Sequence, residues 1–240
     1  LSILFYFFLQ HRSIRLHGAK PMFIVSIINA VRIFLYYMAY NNTSVGNAIL
    51  ILYTGPIFTT LISSYVLGER LTAKKLILAT AAFCGIAFMY SGKEFSFVSR
   101  DFLGMSAALT STILNSAMII SIKKYSHGFG RLETVLYQNA VAALVFLPFF
   151  LFTDPLPTAF QISTAVSVSF AIGVVAYFLF FSALKKIEAS VATIISYIEV
   201  LVSFVLTITF FNEIITLNMI LGGFLILGST LLLQRSSDST

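Results

Sequence analysis

Apolar residues fill long blocks of this chain, and polar positions are confined to short connectors between the blocks. Stretches without any charge cover 76–92, 102–122, 134–153, 155–184 and 214–234. Several reach the roughly 20 apolar residues that a helix needs to cross a hydrocarbon core. Alternation with a period of two, the mark of a barrel, is absent, which leaves spanning helices to satisfy the backbone polar groups. The pattern predicts an apolar tail at 1–9 and eight spans, at 22–40, 45–67, 72–91, 102–122, 132–152, 159–184, 187–211 and 214–234. The tail, LSILFYFFL, is too short to cross and begins at Leu1, so it reads as the end of a helix whose start lies upstream.

Composition strengthens this picture. Of 240 residues, 58% are hydrophobic and 10% charged, against about 25% charged in a soluble domain. Too little polar surface remains to cover a globule in water. The expected class is an all-α polytopic membrane protein.

The net charge of +6 does not point to nucleic acid, because the bases sit in short loops. Alternate connectors hold Arg12, Arg15 and Lys20; Arg70, Lys74 and Lys75; Lys123, Lys124 and Arg131; Lys185 and Lys186; and Arg235. The opposite connectors hold Lys93 and Arg100, each near an acid. Short loops rich in Lys and Arg stay cytoplasmic, so 10–21 and the C-terminal tail are expected to face the cytoplasm, most simply of a bacterial inner membrane.

The chain also resembles itself. FLYYMAYNNTSVGNAILILY from Phe34 and FLFFSALKKIEASVATIISY from Phe178 align without a gap at an offset of 144 residues. Tyr53 pairs with Tyr197, Glu69 with Glu213 and Thr72 with Thr216. The charge map gives the copies opposite orientations. Inverted repeats of this kind are a construction of secondary transporters, with the substrate site near the midplane.

Two segments carry a resemblance to a known family: NAILILYTGPIFTTLISSYVLGERLTAKKLILATAAFCGIAFM and ATIISYIEVLVSFVLTITFFNEIITLNMILGGFLILGSTLLL. With them the chain resembles the EamA-type members of the drug/metabolite transporter superfamily. The resemblance implies ten spanning helices in two inverted five-helix halves. Residues 1–91 would be the remainder of the first half, from the end of helix two to helix five, and 102–234 the second half, helices six to ten. It further implies transport of small polar metabolites, such as amino acids, their derivatives or nucleotide-like compounds including S-adenosylmethionine. One departure is visible: Pro56 has Val200 at its repeat position, so a proline kink is not expected twice.

Candidate site residues follow from charge and polarity at membrane depth. Glu199 lies in the middle of its span, where an isolated carboxylate costs several kcal/mol; it is either a coupling group facing a cavity or a structural carboxylate. Arg32 keeps its charge and must meet an anion, water or carbonyls, or reach the interface by snorkelling. Tyr53 and Tyr197 occupy equivalent repeat positions. On an ideal helix Tyr197 and Glu199 point about 200° apart, so packing is expected of at least one of the tyrosines. Asn115 and Asn139, with Asn29 and Gln138, are amides that could line a polar cavity or bond between helices. Small residues four apart, Ala107 with Ser111 and Thr112 with Ser116, read as close helix packing. Glu69, Glu213 and Pro56 are read as hinge or loop markers.

His11, His17 and His127 do not cluster, Cys84 is the single cysteine, and no nucleophile or metal motif is present. No cofactor, metal or catalytic residue is therefore assigned. The expected partners are a small-molecule solute and the lipid bilayer, without nucleic acid; the pattern leaves room for proton coupling and for a homodimer. The function expected is secondary transport by alternating access between the repeats. The competing reading, an intramembrane enzyme acting on lipid-linked substrates, would need a reactive set near one interface.

Overall fold

A computed structural model describes residues 19–89, 99–152, 157–211 and 217–237. All regular structure among them is helical. The helices are α1 (Lys20–Asn42), α2 (Val45–Leu52), α3 (Gly55–Val66), α4 (Ala73–Met89), α5 (Ser99–Tyr125), α6 (Arg131–Leu151), α7 (Ala159–Phe170), α8 (Tyr177–Leu184), α9 (Ala189–Ile195), α10 (Ile198–Phe211) and α11 (Leu217–Ser237). A π-helical segment, Ala171–Ala176, joins α7 to α8 without interrupting the rod.

Each of the eight expected spans contains helix, but not each is a full crossing. Five stretches are long and apolar enough to span among the described residues: Lys20–Asn42, Asn47–Val66, Asp101–Gly128, Arg131–Leu151 and Ala159–Leu184. Ala189–Ser203 and Ile220–Leu233 are apolar but shorter, and α4 has 17 residues. The expectation of eight full spans is corrected to that extent. One reason is that the 187–211 stretch is two helices rather than one, broken at Ser196 and Tyr197.

The other repeat is broken close to the equivalent position. Helix α2 stops at Leu52 and α3 starts at Gly55, with Tyr53 and Thr54 between. Shifted by the repeat offset, this is one residue out of register with the α9–α10 break. In the first copy Pro56 at the start of α3 lacks an N–H. The second copy has no proline. There the Thr193 and Ser196 hydroxyls bond the carbonyls of Ala189 and Ala192 at 3.0 and 2.9 Å, a back-bonding that bends helices. Helix interruption is thus duplicated although its proline is not.

The chain divides into two compact units. One takes in residues 32–120 and 187–240. Its core joins Leu78, Ala79, Ala82 and Ile86 of α4 to Val191, Ile194, Tyr197 and Val200 of α9–α10 and to Ile226 and Leu233 of α11. Helices α4 and α11 approach so closely that a Cβ on Gly85 would stand 2.7 Å from the carbonyl oxygen of Gly222. Along α5, small hydroxyl residues take up backbone groups of α2 and α3. Thr112 donates to the Ile51 carbonyl at 3.3 Å, and Ser116 to that of Gly55 at 3.2 Å. Ile51 stands in the last turn of α2, where carbonyls lose their helical partners and in lipid must be satisfied within the protein; Gly55 opens α3 across the break.

The other unit comprises residues 1–31 and 121–186. Ala19, just before α1, and Met22 of α1 pack with Phe129 and Tyr137. The Tyr137 ring meets those of Phe23 and Phe129 edge-on, at 5.2 and 5.9 Å. Glu133 starts α6 by accepting the Gly130 N–H at 3.1 Å. Lys185, just past α8, donates to the carbonyls of Ser126 and Phe129 at 3.2 and 2.7 Å. Burial, then the nearby Arg131, holds its ammonium below the ordinary lysine range, with Glu133 acting in the opposite sense.

Candidate functional site

The two helix breaks meet. Tyr53, which closes α2, and Tyr197, which stands between α9 and α10, have ring centroids 6.1 Å apart. The Tyr197 hydroxyl donates to the Tyr53 carbonyl at 2.5 Å. That carbonyl lies at a helix C-terminus, where the last C=O groups lack intrahelical partners. Tyr197 is 1% exposed and belongs to the core of its unit. Its role is to tie one interruption to the other.

Glu199 is positioned by the same break. It falls in the first turn of α10 rather than in the middle of a continuous span, and the expectation of a mid-helix carboxylate is corrected accordingly. Backbone bonds from Glu199 N–H to Ser196 and from Val200 N–H to Tyr197, at 3.0 and 3.1 Å, tighten the chain there. Tyr197 turns into the core, and Glu199 is exposed. A side-chain hydrogen bond links Glu199 to Tyr53. The carboxylate thus stands at the positive end of a helix dipole, next to a phenol that contacts it.

Tyr53, Tyr197 and Glu199 are therefore brought together by direct contacts. Arg32 and Asn115 belong to the same unit, on α1 and α5, and both are half-buried. The backbone carbonyl of Arg32 receives the Ser111 hydroxyl at 3.0 Å. Asn139 lies in the other unit, where its amide donates to the Gly173 carbonyl inside the π-helical segment at 2.6 Å. Pro56 opens α3, and the neighbouring Thr60 hydroxyl bonds its carbonyl at 2.7 Å.

Glu69 takes part in an arrangement that sequence reasoning did not foresee. Gly68, at φ 67°, ends α3 in the left-handed region that glycine tolerates. The Glu69 carboxylate that follows accepts the N–H groups of Ala189 and Ser190 at 2.6 and 3.2 Å, and the Ser190 hydroxyl at 2.8 Å. It thus caps α9, a helix that begins 120 residues later. Alongside, Lys75 pairs with Glu188 and donates to the Arg70 carbonyl at 2.9 Å. The signal that could have found them is Glu188 and Ser190 set directly before an apolar run, a helix-start pattern. Glu213, the repeat mate of Glu69, lies outside the described residues.

Chemically, the Tyr53–Glu199 pair can accept or release a proton and can bind a cationic or donor group. Among the described residues no cluster of His, Cys, Asp or Glu is suited to a metal ion.

Three comparisons bear on identity. Over 214 residues the chain is 24% identical to an uncharacterized transporter of Archaeoglobus fulgidus, covering 88% of this chain and 75% of that protein. Its fold matches a solved crystal structure with a TM-score of 0.85 at 19% sequence identity, over 97% of this chain and 83% of the other. The model of the EamA-like transporter family matches residues 1–91 and 102–235. With nearly its whole length matched, and with apolar helices throughout, this integral multi-pass membrane protein belongs to the EamA-like transporter family.

Proposed function

We propose that this membrane transporter is a secondary carrier that moves small polar solutes by alternating access between two inverted halves. The observation that carries the reading is the meeting of two repeat-related helix breaks beside a carboxylate. Interrupted helices that present polar groups near the midplane are the usual setting of a transporter's solute and ion sites. Glu199, hydrogen-bonded by Tyr53, is the coupling group in this reading, and a proton is the ion it suits. Arg32 and Asn115 supply further polar contacts from α1 and α5.

The substrate class is amino acids and their derivatives, or nucleotide-like compounds such as S-adenosylmethionine. The loops that carry Arg70, Lys74 and Lys75, and Lys185 and Lys186, face the cytoplasm together with the C-terminus, because basic short loops are retained there. The membrane is a bacterial inner membrane. The test is flux in proteoliposomes, with labelled amino acids and nucleosides and an imposed proton gradient. Uptake that collapses with a protonophore supports the proposal, and no movement of any solute in either direction refutes it.

A further inference from the structure

The N-terminal half of α6 is buried residue after residue from Leu132 to Gln138. Within it Gln138 is 4% exposed, and among the described residues neither its amide nitrogen nor its amide oxygen has a hydrogen-bond partner. Its neighbours are provided for. Thr134 donates to the Gly130 carbonyl at 3.0 Å, and Asn139 to that of Gly173 at 2.6 Å. A buried polar group left without a partner keeps its full desolvation penalty, so a leucine or methionine would suit an inert interior better. The π-helical segment Ala171–Ala176 that Asn139 pins is itself a feature found often at functional sites.

We propose that Gln138 anchors a small polar ligand within its own unit, using both atoms of its amide at once. A neutral planar amide offers one donor beside one acceptor. It matches a ligand edge that carries an acceptor beside a donor, as in a carboxamide or in a purine with an exocyclic amine. A free carboxylate, which only accepts, satisfies half of it. The proposal goes beyond the transport reading and does not rest on it; binding is read without flux.

The test compares the wild-type chain with Gln138→Met, which keeps the length and removes both polar atoms. The probes are L-glutamine and adenosine, with L-glutamate and L-leucine as controls. Thermal unfolding in detergent, with and without each probe, reads binding; proteoliposome flux reads transport. The expected result is stabilisation of the wild type by L-glutamine or adenosine, with affinity about tenfold weaker in the variant. The ligand-free variant should unfold no earlier than the wild type. Which of the two probes acts separates the carboxamide from the nucleobase. Binding lost in the variant without flux in either protein would leave the site standing and remove the transport reading. Equal binding by both proteins, or no binding of either probe to the wild type, would overturn the proposal.

Discussion

The Tyr197 hydroxyl donates to the Tyr53 carbonyl at 2.5 Å, across a separation of 144 residues that equals the repeat offset. Two equivalent positions thus touch, and each stands at an interruption of its own helix. Tyr197→Phe leaves a helix-terminal carbonyl without this donor, which should cost about 1–3 kcal/mol and appear as earlier thermal unfolding in detergent. Tyr53→Phe keeps that carbonyl bond and removes the hydroxyl next to Glu199. It should lower flux more than stability. The reverse order for the two variants would contradict the assigned roles.

Glu69 caps α9 with two backbone N–H bonds and one to Ser190. Loss of a helix cap costs about 0.5–2 kcal/mol, so Glu69→Ala should destabilise the chain by at least that much. It should also speed hydrogen exchange at Ala189 and Ser190, and Glu69→Gln should recover part of the loss. The relative rates for different solutes should stay unchanged. Glu188→Gln, which breaks a more exposed ion pair with Lys75, should cost at most about 1 kcal/mol.

Gly85 and Gly228 give a matched pair of substitutions. A methyl at Gly85 meets the Gly222 carbonyl at 2.7 Å, whereas no described residue stands within 4 Å of one at Gly228. Gly85→Ala should destabilise by about 1–3 kcal/mol through overpacking against backbone. Gly228→Ala should be neutral or stabilise by up to about 1 kcal/mol. Unfolding temperatures of the two variants check the α4–α11 contact directly.

Lys185 predicts a pH dependence of stability. Its folded pKa lies below the ordinary value of 10.5, chiefly through burial. Across the window from that lowered value up to 10.5 the unfolded state binds more protons, so stability rises with pH. Below the window both states are protonated, and the unfavourable burial of the charge is felt in full. The stability of wild type relative to Lys185→Gln should therefore increase as pH is raised from neutrality toward 10. A decrease would contradict the burial of the ammonium.

Much of this was legible in the sequence because membrane crossing imposes coarse, repeated patterns. Apolar blocks locate helix in every expected span, and the gapless repeat sets Tyr53 and Tyr197 at equivalent positions. What was not legible depends on local backbone choices. The α9–α10 break has no proline or glycine to announce it; it comes with Thr193 and Ser196, whose hydroxyls bond their own helix. For that reason Glu199 was expected mid-span and is found in a first turn. Glu69 marked a boundary in the sequence, but its partner lies 120 residues away, at a distance no periodicity can reveal.

The coupling role of Glu199 is the central claim, and one comparison tests it most directly. Wild type and Glu199→Gln, reconstituted at equal density, would be assayed for solute exchange across the bilayer and for uptake driven by an imposed proton gradient. The account predicts that Glu199→Gln retains exchange and loses proton-driven accumulation. Gradient-driven accumulation at the wild-type level in the folded variant would contradict it.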